Sequence, residues 1–98
     1  MSTLAIAEFF VKPDRTEEFL AMLAAALPDT RAFEGCELIE TYVNQDEPGH
    51  VFLIERWGSR SDHQAYLAWR TKGGMMEVVE PYSTAPPRFS YFDPRPDV

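Results

Sequence analysis

The feature that most constrains this chain is the run from His50 to Gly74, HVFLIERWGSRSDHQAYLAWRTKGG, where an apolar stretch gives way to an aromatic-rich helical pattern. Val51 to Trp57 reads as a strand, with Val51, Leu53, Glu55 and Trp57 on one side and Phe52, Ile54 and Arg56 on the other. Gly58 to Ser61 is a tight connection, and Asp62 to Lys72 has helical spacing. Ser59 or Ser61 suits the helix N-cap, through Asp62 or Gln64 respectively. A helix this close to its strand folds back over it, and the two can enclose a small pocket.

The remaining elements follow from the same rules. Thr3 to Val11 (TLAIAEFFV) is a strand in which Glu8 is the only charge, so both its faces should be largely covered. Asp14 and Glu17 have capping-box spacing, and Phe19, Met22, Leu23, Ala26 and Leu27 then recur with helical period. Pro28 should kink or interrupt this helix, with a further turn over Asp29 to Glu34 that stops at Gly35. Cys36 to Asn44 is the second strand, joined to the third by the turn Gln45 to Gly49 in an antiparallel hairpin. Gly73 and Gly74 break the later helix, and Met75, Val79 and Tyr82 mark one more short helix that Pro81 limits. Pro86 and Pro87 introduce a last strand, Arg88 to Asp93, ahead of an extended tail over 94–98.

The order is strand, helix, strand, strand, helix, strand, in a single domain with its core at about residues 3–93. The economical arrangement is α+β, a ferredoxin-like four-stranded antiparallel sheet with both helices on one face. Its other face is bare and apolar. A chain of 98 residues removes only roughly two-thirds of its unfolded surface from water. Two copies packed sheet to sheet would hide the bare face, giving a homodimer in the form of a dimeric α+β barrel.

The net charge of −7, with nine scattered basic residues, argues against a nucleic-acid partner, which needs clustered Lys and Arg. No stretch approaches the ~20 apolar residues of a membrane span, and the N-terminus lacks a secretory pattern, so a cytoplasmic location without membrane contact is expected. Cys36 is the only cysteine, which fits a reducing compartment. It reads as a small core residue. HExxH, CxxC, GxSxG and a phosphate-cradling glycine loop are all absent from the sequence, and no metal site is expected.

TRAFEGC leading into a strand, followed by FLIERWGSRSDHQAYLAW with Glu55 and Trp57 at the strand end, resembles the antibiotic biosynthesis monooxygenase family, including its quinol monooxygenase-like members. The likeness runs from Leu4 to about Phe92. It implies two ferredoxin-like protomers paired through their sheets, each with a pocket between sheet and helices. It also implies oxidation of phenols or quinols by O2, with no metal or organic cofactor. Many members carry His nine residues after the tryptophan, where this chain has Tyr66. The haem-degrading relatives' first-strand Asn falls on Ala7 and their helix His on Tyr66 or Leu67, so the resemblance does not extend to haem oxygenation.

Cofactor-free oxygenation needs an electron-rich substrate that can lose a proton, a water-poor pocket, and a cation or hydrogen-bond donor for the resulting anion. Tyr66, Trp69 and Arg70 have i, i+3, i+4 spacing and line one patch, an aromatic wall with one guanidinium suited to a planar phenolate. The candidate catalytic residues are Tyr66 and His63, with Trp57, Glu55, Trp69 and Arg70 as substrate-binding residues. His63 is a candidate general base, although the first turn of a helix is normally exposed. Glu55 is either a base with a shifted pKa or, more commonly for such a residue, the partner of a helix arginine. His50 opens its strand beside a turn with no evident partner. Two other functions suit the same fold: isomerisation of a small carbonyl compound, and non-catalytic or stress-related binding of a small molecule.

Overall fold

A computed structural model describes residues 2–98. Four strands, β1 (Thr3–Val11), β2 (Cys36–Val43), β3 (His50–Trp57) and β4 (Ser83–Phe92), form one antiparallel sheet in the order β2-β3-β1-β4. Helix α1 (Thr16–Arg31) joins β1 to β2, while α2 (Arg60–Lys72) and the short α3 (Met75–Val79) join β3 to β4. Each helical connection passes over one intervening strand, giving the expected ferredoxin-like arrangement.

Strand alternation sets the two faces. Ala7, Phe9 and Val11 of β1 join Val51 and Leu53 of β3 and Ile39 of β2 beneath Phe19, Leu23 and Leu27, which follow one another at four-residue intervals on α1. Phe19 and Val51 are fully buried, and the Phe9 and Phe19 rings lie 5.3 Å apart. Burying each such side chain contributes roughly 1.5–3 kcal/mol. A second cluster, Ala5, Trp57 and Tyr66, lies at the α2 end of the same face.

Several local expectations are corrected. The Asp14–Glu17 capping box does not form, because Pro13–Arg15 makes a 3₁₀ turn and α1 begins at Thr16 without a side-chain cap. Helix α1 runs through Pro28 to Arg31 without interruption, and Ala32 N–H bonds to the Pro28 carbonyl. Gly35 has φ +91°, the left-handed conformation expected, though it follows a short turn and not a second stretch of helix. Strand β4 begins at Ser83, five residues earlier than expected, and contains Pro86 and Pro87. Prolines are tolerated there because β4 is an edge strand and its pairing with β1 shifts register around Phe10. A register shift in β2 between Cys36 and Leu38 turns Cys36 toward the helix side, where it packs against both clusters. Burial and the Glu55 charge push its thiol pKa up, consistent with a packing role.

The opposite sheet face carries Leu4, Ile6, Phe10, Phe52 and Ile54, with Tyr42 and Phe92 among the exposed large side chains. His50 has clear partners here. Its Nε2 lies 3.0 Å from Glu8 Oε1, its Nδ1 lies 3.1 Å from Asn44 Nδ2, and its ring stacks on Phe10. Arg88 donates to the other Glu8 oxygen from Nε at 2.7 Å.

Candidate active site

A cavity of about 380 Å³ lies between the sheet and the helices. Ala7, Phe9, Leu53 and Phe89 supply apolar floor, with Leu23 and Leu27 of α1 and Val79 of α3 among the walls. The small side chain of Ala7 leaves room above the sheet. Trp69 and Val78, both about half exposed, mark its outer rim.

Besides the exposed Asp29, two polar groups interrupt this lining. On the floor, Glu55 is 4% exposed and its Oε1 accepts from Trp57 Nε1 at 2.9 Å. Its Oε2 makes no hydrogen bond among the described residues and is not a fully buried orphan, as His63 Nε2 is, so it keeps some exposure on a side chain that lines the cavity. His63 Nε2 stands 3.5 Å from Glu55 Oε1, and His63 Nδ1 lies 2.7 Å from the Tyr91 hydroxyl. The helix-arginine partner expected for Glu55 is not found; indole and imidazole take that place. The expected exposure of His63 is likewise overturned. Ser59 caps α2 by accepting from Asp62 N–H, and the helix so started turns its first-turn His63 inward against Trp57 and Phe89. The imidazole is 1% exposed.

The second group joins α1 to α2. Arg70 Nε donates to the Tyr66 hydroxyl at 2.9 Å, and its NH2 group donates to the Ala26 carbonyl and the Thr30 hydroxyl at 2.7 and 3.0 Å. The Tyr66 and Thr30 hydroxyls lie 2.7 Å apart, one donating to the other. Arg70 makes no ion pair among the described residues, and its guanidinium lies 4.8 Å from the Trp69 ring centroid. A half-buried cation partnered by carbonyl and hydroxyl oxygens retains capacity for an anionic ligand.

Glu55, His63, Tyr66, Trp69 and Arg70 therefore share one cavity. Trp57, expected at the substrate, is instead fully buried beneath Tyr66 and reaches the cavity only through its bond to Glu55. Thr30 and Tyr91 were not anticipated. Tyr91 had a signal in RFSYFD, whose alternation puts Phe89 and Tyr91 on the covered face, whereas Thr30 has none because its helix reads as interrupted at Pro28. Among the described residues, no three His, Cys, Asp or Glu side chains come together as metal ligands.

The family model described as antibiotic biosynthesis monooxygenase matches residues 3–73. The chain belongs to the antibiotic biosynthesis monooxygenase family. One relative, named "Putative monooxygenase Rv0793", from Mycobacterium tuberculosis H37Rv, is 35% identical over 75 residues, covering 70% of this chain and 73% of that protein. The solved structure of Rv0793 has a TM-score of 0.73 at 28% identity, covering 97% of this chain and 96% of the other. Protein SO0527 of Shewanella oneidensis gives 0.77 at 25% identity, with 93% and 90% covered. A crystal structure of an antibiotic biosynthesis monooxygenase gives 0.83 at 22% identity, with 96% and 99% covered, a likeness of fold alone. Glu55 and Trp57 are the strand-end pair on which the resemblance rested, and nine residues after the tryptophan, where that resemblance implies His in many members, stands Tyr66. An imidazole is nonetheless present, one helical turn earlier, at His63. No helix among the described residues is long and apolar enough to cross a membrane.

Proposed function

We propose that this protein is a cofactor-independent monooxygenase that oxidises a phenolic or quinol-like small molecule with O2, and that it works as a homodimer paired through the bare sheet faces. The observation that carries the reading is the pairing, in one largely apolar cavity, of an open carboxylate oxygen on Glu55 with the guanidinium of Arg70. Glu55 is the base. A phenol whose keto tautomer carries a CH2 group gives up one proton to Oε2, and Arg70 offsets the charge of the delocalised anion. The anion passes electrons to O2 and forms a carbon–oxygen bond, and the proton returned by Glu55 completes a hydroperoxide. Glu55 then takes the second proton from the same carbon as the O–O bond breaks. The departing hydroxide accepts that proton and leaves as water. One oxygen atom stays as a carbonyl, and Glu55 ends as it began.

Oxygen uptake with a panel of quinols and phenols tests this reading. Consumption above that of heat-denatured protein is expected, with one O2 used per product carbonyl. Its absence across the panel overturns the monooxygenase. The same base and cation also suit an enolate, so solvent deuterium entering a carbonyl substrate without oxygen consumption would identify an isomerase. Saturable binding with neither reaction would identify a sequestering protein.

A further inference from the structure

The proposed chemistry uses Glu55 and Arg70 and leaves His63 and Tyr91 without a task. His63 is sealed, its Nε2 has no hydrogen-bond partner at normal distance among the described residues, and the polar atom facing it is Glu55 Oε1 at 3.5 Å. On its other side Nδ1 is 2.7 Å from the Tyr91 hydroxyl, and Arg60 lies over the outer side of that ring, 4.2 Å from the centroid. Burial pushes the Tyr91 phenol above its ordinary pKa, with the Arg60 charge opposing and the Glu55 charge adding, so Tyr91 is a hydroxyl donor at neutral pH.

The three groups can be filled with protons in few ways. If Nδ1–H donated to Tyr91, the Nε2 lone pair would face the Glu55 carboxylate inside a sealed site, an uncompensated repulsion. Two fillings put a proton between each pair, a neutral imidazole with Nε2–H that accepts from Tyr91 and an imidazolium that donates to both neighbours, and only the first uses the Tyr91 O–H proton. We propose that Tyr91 O–H donates to His63 Nδ1 and His63 Nε2–H donates to Glu55 Oε1, forming a relay of positioning residues that aims the carboxylate into the cavity. Trp57 Nε1–H is a second donor to the same oxygen, so both hold Oε1 and leave Oε2 for the substrate.

The assignment rests on the reading above only for its kinetic arm; its spectroscopic arm needs no substrate. The chain has two histidines, so a His50→Gln variant assigns the His63 nitrogens in a 15N–1H spectrum of the full-length protein. Near neutral pH, His63 is expected as the Nε2–H tautomer, with the Nδ1 resonance displaced by an accepted hydrogen bond. In Tyr91→Phe that displacement is lost. An Nδ1–H tautomer, an imidazolium at neutral pH, or an Nδ1 resonance unmoved by Tyr91→Phe overturns the proposal. Should Tyr91→Phe fail to fold by thermal melt, His63→Gln serves instead. Its amide can donate to Glu55 and accept from Tyr91, and it should retain more kcat than His63→Phe; equal loss in the two overturns the relay.

With a reduced naphthoquinone as the oxygen-uptake probe, Tyr91→Phe should lower kcat on the order of tenfold, part of the 10²–10⁴ a general base contributes. KM should change less than about twofold, since Tyr91 does not line the cavity. A kcat equal to wild type overturns the relay. An inactive wild type with the expected tautomer overturns the monooxygenase reading alone.

Discussion

Glu55 occupies a position that β3 alternation turns inward, between Leu53 and Trp57, and a carboxylate there carries a desolvation cost that the bond from Trp57 Nε1 helps to offset. Glu55→Gln keeps the shape and an oxygen for the indole while removing the proton acceptor. Oxygen consumption should fall by about 10²–10⁴-fold, with quinol binding, followed by tryptophan fluorescence, altered far less. Equal loss of binding and turnover would instead mark Glu55 as a packing residue. Tyr66 plays a different part, because its hydroxyl is already engaged by Arg70 and Thr30. Tyr66→Phe leaves Arg70 Nε without its acceptor and should cost about 1–3 kcal/mol. A fall in Tm of about 4–8 °C per kcal/mol is expected in a thermal melt of a domain this size.

The elements show why some parts of the site were legible and others were not. The β3–α2 unit was readable because local rules agree there: strand alternation, a serine N-cap at Ser59 and a helical aromatic spacing all point the same way. Pro28 and the β4 prolines misled because a local breaker was weighed without its tertiary setting, a continuous helix pinned to α2 by Arg70 in one case and an unpaired sheet edge in the other. The inward turn of His63 depends on where Ser59 starts the helix relative to Trp57, a geometry that periodicity does not specify. Gly35 belongs to this scale as well. It sits at φ +91°, and a Cβ there would come within 2.6 Å of the Asp62 side chain in the first turn of α2. Gly35→Ala should destabilise by about 1–2 kcal/mol from backbone strain alone, read by chemical denaturation, while Asp62→Ala in the same background should relieve only the carboxylate's share of the clash, because the Asp62 Cβ itself would lie 2.7 Å from the added carbon.

At the scale of the whole molecule, the helices cover one sheet face, and the other presents apolar side chains around the hydrogen-bonded polar group of Glu8, His50 and Arg88. Burial raises the Glu8 pKa, but hydrogen bonds and charges from Arg88 and His50 outweigh it and leave the carboxyl below its ordinary value of 4.5. A carboxyl lowered in the folded state contributes stability above its unfolded value, and that contribution is lost as pH falls through the lowered one. Wild type should therefore exceed Glu8→Gln in denaturant stability by a margin that is present near about pH 5 and shrinks toward zero in stronger acid. A margin that does not change with pH would show that the group acts through packing and not charge. Because the group lies on the face proposed to pair, the same titration should appear in assembly. Light scattering near neutral pH should give twice the 11.2 kDa chain mass, and a monomer mass at micromolar concentration would remove the sheet-paired dimer. If the dimer forms, its dissociation at low pH should shift in Glu8→Gln along with the loss of stability, because folding and pairing would bury the same carboxylate.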